Sequence, residues 1–176
     1  MQKKLMYLEI AGILFIVIMS VFMQNLLDLS GHTLIGVMFG SVNDSIWEIE
    51  KTLLFPYLLW AGIELLCIKI PFRKFIVAKA VSLWFFCLSY SAICLLYSLT
   101  GAQTHFLPEF TAALICCTLA FFISFRLTVG SKQCEVLFYP AFFMLMLFVV
   151  LYCSLTPFPM HNYLCMDRTT GLYGII

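Results

Sequence analysis

The chain has 176 residues, of which 63% are hydrophobic and 11% are charged, and its mean hydropathy is +1.03. Soluble domains are about half apolar and about a quarter charged, so this composition excludes a soluble fold and indicates an integral membrane protein. The net charge of +1 comes without a basic stripe, which excludes a nucleic-acid partner and leaves membrane lipids as the expected surroundings.

The first predicted element is a membrane-spanning helix at about residues 5–27. A helical span needs about 20 mostly apolar residues, and the run "LMYLEIAGILFIVIMSVFMQNLL" supplies them. The following "FMQNLLDLS" contains no small-x-small cleavage site, so we interpret the run as a retained span and not as a signal peptide.

The stretch that follows, "DLSGHTLIGVMFGS", is too short to cross a bilayer. Asp28 or Ser30 is a candidate cap for a short helix there. The pair Gly36-x-x-x-Gly40 would let that helix approach a neighbour closely. We predict an interfacial or re-entrant segment packed against the bundle.

The second span, at about residues 48–68, opens with the acidic run "NDSIWEIEK". If a helix starts at Asn43, then Asp44, Glu48 and Lys51 share one stripe of its surface. Helix capping accounts for Asn43 and Asp44, because side-chain acceptors and carboxylates are favoured at a helix amino terminus. Capping does not account for Glu48, which lies a full turn further along.

Three more spans are predicted at about residues 75–99, 107–125 and 136–155. Before the fourth span, "GAQTHFLPEF" places His105 and Glu109 four residues apart, which puts them on one face of a helix.

The tail, residues 156–176, is apolar and rich in turn residues, and it carries His161 and Asp167. A tail of this kind is predicted to fold back over the mouth of the bundle. The predicted fold is therefore all-α, a polytopic bundle of five transmembrane helices plus one short interfacial or re-entrant segment. It forms a single integral membrane domain over residues 1–176.

The basic residues predict the orientation of this bundle, because cytoplasmic loops carry an excess of Lys and Arg. With five spans, eight of the ten basic residues fall on one side: Lys3, Lys4, Lys69, Arg73, Lys74, Lys79, Arg126 and Lys132. That side is predicted to be cytoplasmic. The amino terminus then lies inside the cell membrane and the carboxyl terminus outside.

The same topology brings all three histidines to the outer face: His32, His105 and His161. Six of the nine acidic residues join them: Asp28, Asp44, Glu48, Glu50, Glu109 and Asp167. Segments that are distant in sequence thus deliver imidazole and carboxylate groups to one membrane face, and we expect a polar site there.

Two motifs connect the chain to a known family. The run Asn43 to Glu48, "NDSIWE", is followed by Lys51, and the tail contains "PMHNYLCMDRTTGLYG". The sequence resembles an uncharacterised family of small five-span prokaryotic membrane proteins that carry an Asn-acid-Ser-x-Trp-Glu motif and a carboxyl-terminal His…Asp…Thr-Gly-x-Tyr-Gly segment. The histidine usual in that family after the motif glutamate is Ile49 here. The resemblance implies no particular activity.

The sequence leaves three functions open, and with them the question whether the chain is an enzyme. The first is a structural or ligand-binding membrane protein in which the outer polar groups hold loops and tail together. The second is a small carrier or channel subunit, since a homo-oligomer can build a pore that one chain does not show. Transport usually needs ionisable groups near the bilayer midplane, and the predicted spans offer mainly serine, threonine and tyrosine there.

The third is a metal-dependent hydrolase that acts on a lipid ester or amide. Three imidazoles and one carboxylate suit Zn²⁺ with an open position for water, and the predicted ligands are His32, His105, His161 and Asp167. In this hypothesis Glu48 or Glu109 is the general base. Asn43 or Ser45 would polarise the substrate carbonyl.

Overall fold

The computed structural model describes residues 2–99, 106–130 and 132–175. Its elements in chain order are α1 (Gln2–Gln24), α2 (Leu26–Leu29), α3 (Leu34–Phe39), α4 (Ile46–Cys67), α5 (Phe72–Leu99), α6 (Phe106–Val129), a 3-10 helix (Lys132–Leu137) and α7 (Phe138–Leu155). Over these residues the fold is helical and contains no strand. The all-α prediction is confirmed.

Helix α4 lies at the centre of the bundle. It packs against α1 and α5, while α1 also packs against α6, and α5 against α6 and α7. The first half of α4 is almost entirely buried, and Leu54 and Tyr57 have no exposed surface. All four charged residues of this helix are buried too: Glu48, Glu50, Lys51 and Glu64. The long helix with the most charged residues is therefore also the one with the largest share of buried residues.

The other four long helices, α1, α5, α6 and α7, are long and apolar enough to cross a membrane. They place large apolar side chains on the outside of the bundle, such as Ile18, Leu88 and Phe143, which are each more than 60% exposed. Only 22% of the apolar stretch of α7 is buried. Apolar residues outside and charged residues inside indicate a membrane protein, because lipid is the solvent that such a surface requires.

The segment after α1 differs from the prediction in detail. Helix α1 ends at Gln24 and not at residue 27, and α2 and α3 follow. Neither Asp28 nor Ser30 caps α3, whose N-cap is Thr33. The predicted close approach at Gly36 is confirmed, because a Cβ atom there would collide with Ser30 Oγ and lie 3.0 Å from Leu27 Cα.

The start of α4 also differs from the prediction. The helix begins at Ile46, so Asn43 does not start it and Asp44 does not share a helical stripe with Glu48. Ser45 is the N-cap, and its Oγ accepts a hydrogen bond from the Glu48 backbone N–H at 3.3 Å. A serine in extended conformation before an apolar helix fits this role.

The bundle has two ends that differ in charge. At one end Lys4 Nζ donates to the Cys67 carbonyl at 3.1 Å, and Lys74 Nζ donates to the Gly130 carbonyl at 2.6 Å. We call this the basic end. At the opposite end the tail, residues 156–175, bonds to the segment just before α4 and to the start of that helix, and we call this the tail end.

Candidate functional site

The two sequence motifs meet at the tail end. Asn43 Nδ2 donates to the Gly174 carbonyl at 2.8 Å, and the Trp47 backbone N–H donates to the Leu164 carbonyl at 3.0 Å. The tail thus folds back onto the entrance of α4, as predicted. Because both motifs contribute to one set of contacts, their joint presence has a structural explanation.

Asp167 organises this part of the tail. Its carboxylate accepts hydrogen bonds from the backbone N–H of Asp44 at 3.1 Å, from Thr169 Oγ1 at 2.8 Å and from Thr170 Oγ1. Burial opposes ionisation of Asp167, but the hydrogen bonds from Thr170 and Thr169 outweigh it and lower the pKa to about 2. The group is therefore an anion whose acceptor positions are used within the protein.

Arg168 connects the tail to α6. Its guanidinium forms a two-pronged ion pair with the Glu109 carboxylate, and its Nε donates to the Asp44 carbonyl at 2.8 Å. Planar, bidentate pairing of this kind fixes orientation as well as contributing attraction.

A second polar cluster lies beneath the tail. Lys51 Nζ is 2.6 Å from Glu48 Oε2 and donates to Thr156 Oγ1 at 2.8 Å and to the Val37 carbonyl at 3.1 Å. Thr156 Oγ1 donates in turn to Glu48 Oε1 at 2.7 Å. The cluster ties together α3, α4 and the end of α7. Buried ion pairs are tolerated when hydrogen bonds satisfy both partners, as they do here.

A cleft of about 680 Å³ opens beside these contacts, between α1, α4 and α6. Its mouth is polar and includes Gln24, Asp28, Asp44, Glu109, Arg168 and Thr169. Its deeper wall is apolar and includes Ile16, Val17, Leu53, Ala113, Leu114 and Cys117. The volume falls in the range of about 300–1,000 Å³ that is usual for ligand sites.

A family model described as "Family of unknown function (DUF6512)" matches residues 1–175, which is nearly the whole chain. The chain belongs to the DUF6512 family. No curated protein and no solved structure matches it. The predicted membership of an uncharacterised family is confirmed at this level, and DUF6512 brings no activity with it.

The histidines predicted as metal ligands in this DUF6512 chain lie in different surroundings. His32 has an exposed side chain 3.8 Å from Asp28, and its backbone φ is 59°. His161 is exposed and packs against Tyr173 with a ring separation of 4.7 Å. His105 lies outside the described residues. Over the residues that the structure does describe, no three His, Cys, Asp or Glu side chains are grouped as metal ligands.

The four residues predicted as catalytic all make structural contacts. Glu48 is buried in the cluster with Lys51, and Glu109 is paired with Arg168. Ser45 caps α4, and the Asn43 side chain bonds the tail and also accepts from the Ser45 N–H. Glu109 and Asn43 also line the cleft. The catalytic and metal-binding roles stay predictions.

One buried polar cluster was not predicted from the sequence. Lys79 contacts the carboxylates of both Glu9 and Glu64 within the bundle. The sequence analysis counted Lys79 among the basic residues of the cytoplasmic side, but Lys79 is 1% exposed and lies inside the bundle with Glu9 and Glu64. The sequence does contain an indication of this cluster, because Glu9 and Lys79 lie inside apolar spans, where ionisable residues are rare.

Proposed function

We propose that this chain is a five-span protein of the cell membrane that binds an amphiphile in the cleft at the tail end. The observation that carries the proposal is the arrangement of that cleft, with a polar mouth above an apolar wall between α1 and α6. A ligand site that is lined in this graded way is complementary to a molecule with a polar head and a hydrocarbon chain.

The fifth crossing in this proposal is α4. The helix has 22 residues, which at 1.5 Å per residue is about the thickness of the hydrocarbon core. Its charged groups are not presented to lipid: Lys51 pairs with Glu48, Glu64 contacts Lys79, and Glu50 accepts a hydrogen bond from Ser91 at 2.8 Å. A helix whose charged groups have partners inside the bundle can cross a bilayer, and this supports five crossings.

The orientation follows from the distribution of basic residues. Lys3, Lys4, Lys69 and Arg73 lie at the basic end. Cytoplasmic segments carry an excess of Lys and Arg, which places that end in the cytoplasm. The excess remains when the buried Lys79 is left out of the count of basic residues. The cleft then opens at the outer leaflet, within reach of lipids and of amphiphiles dissolved outside the cell.

The cleft wall supports a ligand with a hydrocarbon chain. Residues of two helices face each other across it, including Ile16 and Val17 of α1 and Ala113 and Leu114 of α6. Apolar surface that leaves water contributes roughly 25 cal/mol per Å², so the hydrocarbon chain of an amphiphile that enters from the aqueous side gains affinity from this wall. The polar mouth would then hold the head group near the membrane surface.

The test uses two neighbouring residues of α6. Leu114 lines the cleft, and the adjacent Ile115 is 58% exposed on the outside of the bundle. We expect Leu114→Trp to fill the cleft and Ile115→Trp to leave it open. Wild type and both variants are purified from membranes, and the retained amphiphiles are identified and quantified by mass spectrometry.

We expect wild type and Ile115→Trp to retain the same amphiphile in stoichiometric amount, and Leu114→Trp to lose it. If Leu114→Trp does not fold, Val17→Trp on the opposite wall is compared with Ile18→Trp, whose side chain faces away. Equal retention by cleft variants and controls would exclude this cleft as the binding site.

A further inference from the structure

The buried cluster near the basic end carries an excess negative charge. Glu9 of α1, Glu64 of α4 and Lys79 of α5 are all 4% exposed or less. Lys79 Nζ lies 3.2 and 3.3 Å from the two carboxylate oxygens of Glu9 and still closer to Glu64. With all three groups ionised, two negative charges face one positive charge.

The other groups around the cluster do not balance this charge. Ser124 of α6 donates to Glu9 Oε1 at 2.8 Å, and Trp60 Nε1 of α4 donates to Glu64 Oε1 at 3.1 Å. Tyr57 faces Lys79 with its ring, and its hydroxyl hydrogen-bonds to Ser82, so it supplies no charge. Arg126 of α6 is exposed and lies over the Phe122 ring. Within the described parts of the chain, Lys79 is the one cation paired with these two carboxylates.

An uncompensated charge in a low-dielectric interior is costly, and a buried carboxyl avoids that cost by holding a proton. Lys79 is nearest to Glu64, which leaves Glu9 as the carboxyl with the weaker contact to the ammonium. Ser124 beside Glu9 has a hydroxyl, which can donate to a carboxylate or accept from a protonated carboxyl. These contacts assign the proton to Glu9.

A cavity at the basic end lies one helical turn from this position. It has a volume of about 150 Å³ and is lined by residues that include Leu5, Lys74 and Thr128. Leu5 is one helical turn from Glu9 along α1, and Thr128 is one turn from Ser124 along α6. Thr128 is 8% exposed, and its hydroxyl has no hydrogen-bond partner among the residues that the structure describes. A cavity of this size with an unsatisfied hydroxyl is suited to water.

The opposite side of Glu9 is closed. A Cβ atom on Gly12, one turn further along α1, would lie 2.5 Å from Trp60 Nε1 and 2.6 Å from Phe121 Cζ. The two rings therefore fill the space between the charged cluster and the cleft at the tail end. Glu9 therefore has a packed aromatic barrier toward the tail end, and the cavity lies toward the basic end.

We propose that Glu9 is a proton-binding site that exchanges with water at the basic end of the bundle. The proton comes from a hydronium ion in the water at the basic end, which is left as neutral water, and it bonds to a carboxylate oxygen of Glu9. It returns to the same water when Glu9 ionises and takes a stronger hydrogen bond from Lys79. This site is separate from amphiphile binding, and neither proposal depends on the other.

The test is infrared spectroscopy of the protein in lipid bilayers at neutral pH, in H₂O and in D₂O. A protonated carboxyl gives a C=O stretch that an ionised one lacks. We expect a band that is lost in Glu9→Gln and also in Glu64→Gln, because either change leaves one carboxylate to pair with Lys79. Glu50→Gln serves as the control, since Glu50 is a buried carboxyl outside this cluster: this variant removes any band of Glu50 itself and leaves the band of the cluster in place.

Three further variants assign the proton and its route. Ser124→Ala should shift the frequency of the band, whereas Trp60→Phe, which removes a bond to Glu64, should leave it in place. Thr128→Leu, which fills the cavity, should slow the exchange of the band in D₂O. The proposal would be overturned if folded wild type, Glu9→Gln and Glu64→Gln gave the same spectrum in the region of the carboxyl C=O stretch. A band that responds to Trp60→Phe and not to Ser124→Ala would overturn the assignment to Glu9.

Discussion

Asp167 shows how a single side chain holds the tail. Its carboxylate accepts from two threonine hydroxyls and from the Asp44 backbone N–H, and it is 2% exposed. Substituting Asp167→Asn removes the charge and part of the acceptor capacity, while the donors stay in place. We expect a loss of about 1–3 kcal/mol in the free energy of unfolding at neutral pH, measured by thermal or denaturant unfolding in a mild detergent.

The effect of Asp167→Asn on the free energy of unfolding should depend on pH. The folded-state pKa of about 2 lies below the ordinary value of 3.8, so the charged Asp167 contributes stability that is complete above about pH 4. That contribution is lost as the pH falls toward 2, so wild type and Asp167→Asn should converge there. Asp28→Asn is the control, because the Asp28 side chain is 82% exposed and its contact with His32 is a long one of 3.8 Å. A difference that persists unchanged at pH 2 would contradict the prediction.

The sequence located many of these residues but not their partners. Glu109 and Asp167 were correctly placed at the tail end, and the spacing of Glu48 and Lys51 indicates a pair on one helix. The partner of Glu9 is Lys79, 70 residues away, and the partner of Glu109 is Arg168, 59 residues away. Spacing along one helix carries no information about such contacts, because they depend on how helices are placed beside each other.

At the scale of a single element, α4 shows what hydropathy predicts and what it omits. The apolar run predicted a helix at about residues 48–68, and the observed helix is Ile46–Cys67. Composition alone makes α4 the weakest candidate for a membrane span, since it carries four charged residues. Its burial explains why they are tolerated, because three of them contact partners of opposite charge and Glu50 accepts from a serine.

The contact of α1 with α4 and α6 depends on the absence of a side chain at Gly12. A Cβ atom there would lie within 2.6 Å of both Trp60 and Phe121, which are packed and cannot withdraw easily. We expect Gly12→Ala to cost about 1–3 kcal/mol through overpacking, measured as a lowered unfolding temperature in detergent or bilayers.

Gly62 supplies the matched control within the same bundle. It lies in α4, and a Cβ atom there would meet nothing within 4 Å. Gly62→Ala should therefore be neutral or should stabilise the helix by up to about 1 kcal/mol, because alanine loses less backbone entropy than glycine. Equal effects of the two substitutions would show that the α1 contact is loose and that Gly12 is not required for it.

At the scale of the whole molecule, the described polar clusters divide between the two ends of the bundle. The cluster of Glu48, Lys51 and Thr156 lies under the tail, and the cluster of Glu9, Glu64 and Lys79 lies toward the basic end. Helix α4 contributes to both and so connects them through the core. Membrane proteins gain little from apolar contacts between helices in lipid, and buried polar contacts of this kind give the bundle a defined arrangement.

An odd number of crossings places the two ends of the chain on opposite sides of the membrane, whereas four crossings without α4 would place them on the same side. Cys67 is exposed at the basic end, and Leu172 in the tail is 57% exposed. In intact cells we expect a membrane-impermeant maleimide to modify Leu172→Cys and to leave wild type unlabelled; after permeabilisation Cys67 should react as well. The tail thiol of wild type, Cys165, is buried and should add no background. Because α5, α6 and α7 separate Cys67 from the tail whether or not α4 crosses, α4 itself is tested with His32→Cys, an exposed position before that helix. We expect His32→Cys to be labelled from outside, as Leu172→Cys is, and labelling of His32→Cys on the same side as Cys67 would remove α4 from the membrane-spanning set. Labelling of Cys67 from outside while His32→Cys stays unlabelled would reverse the orientation.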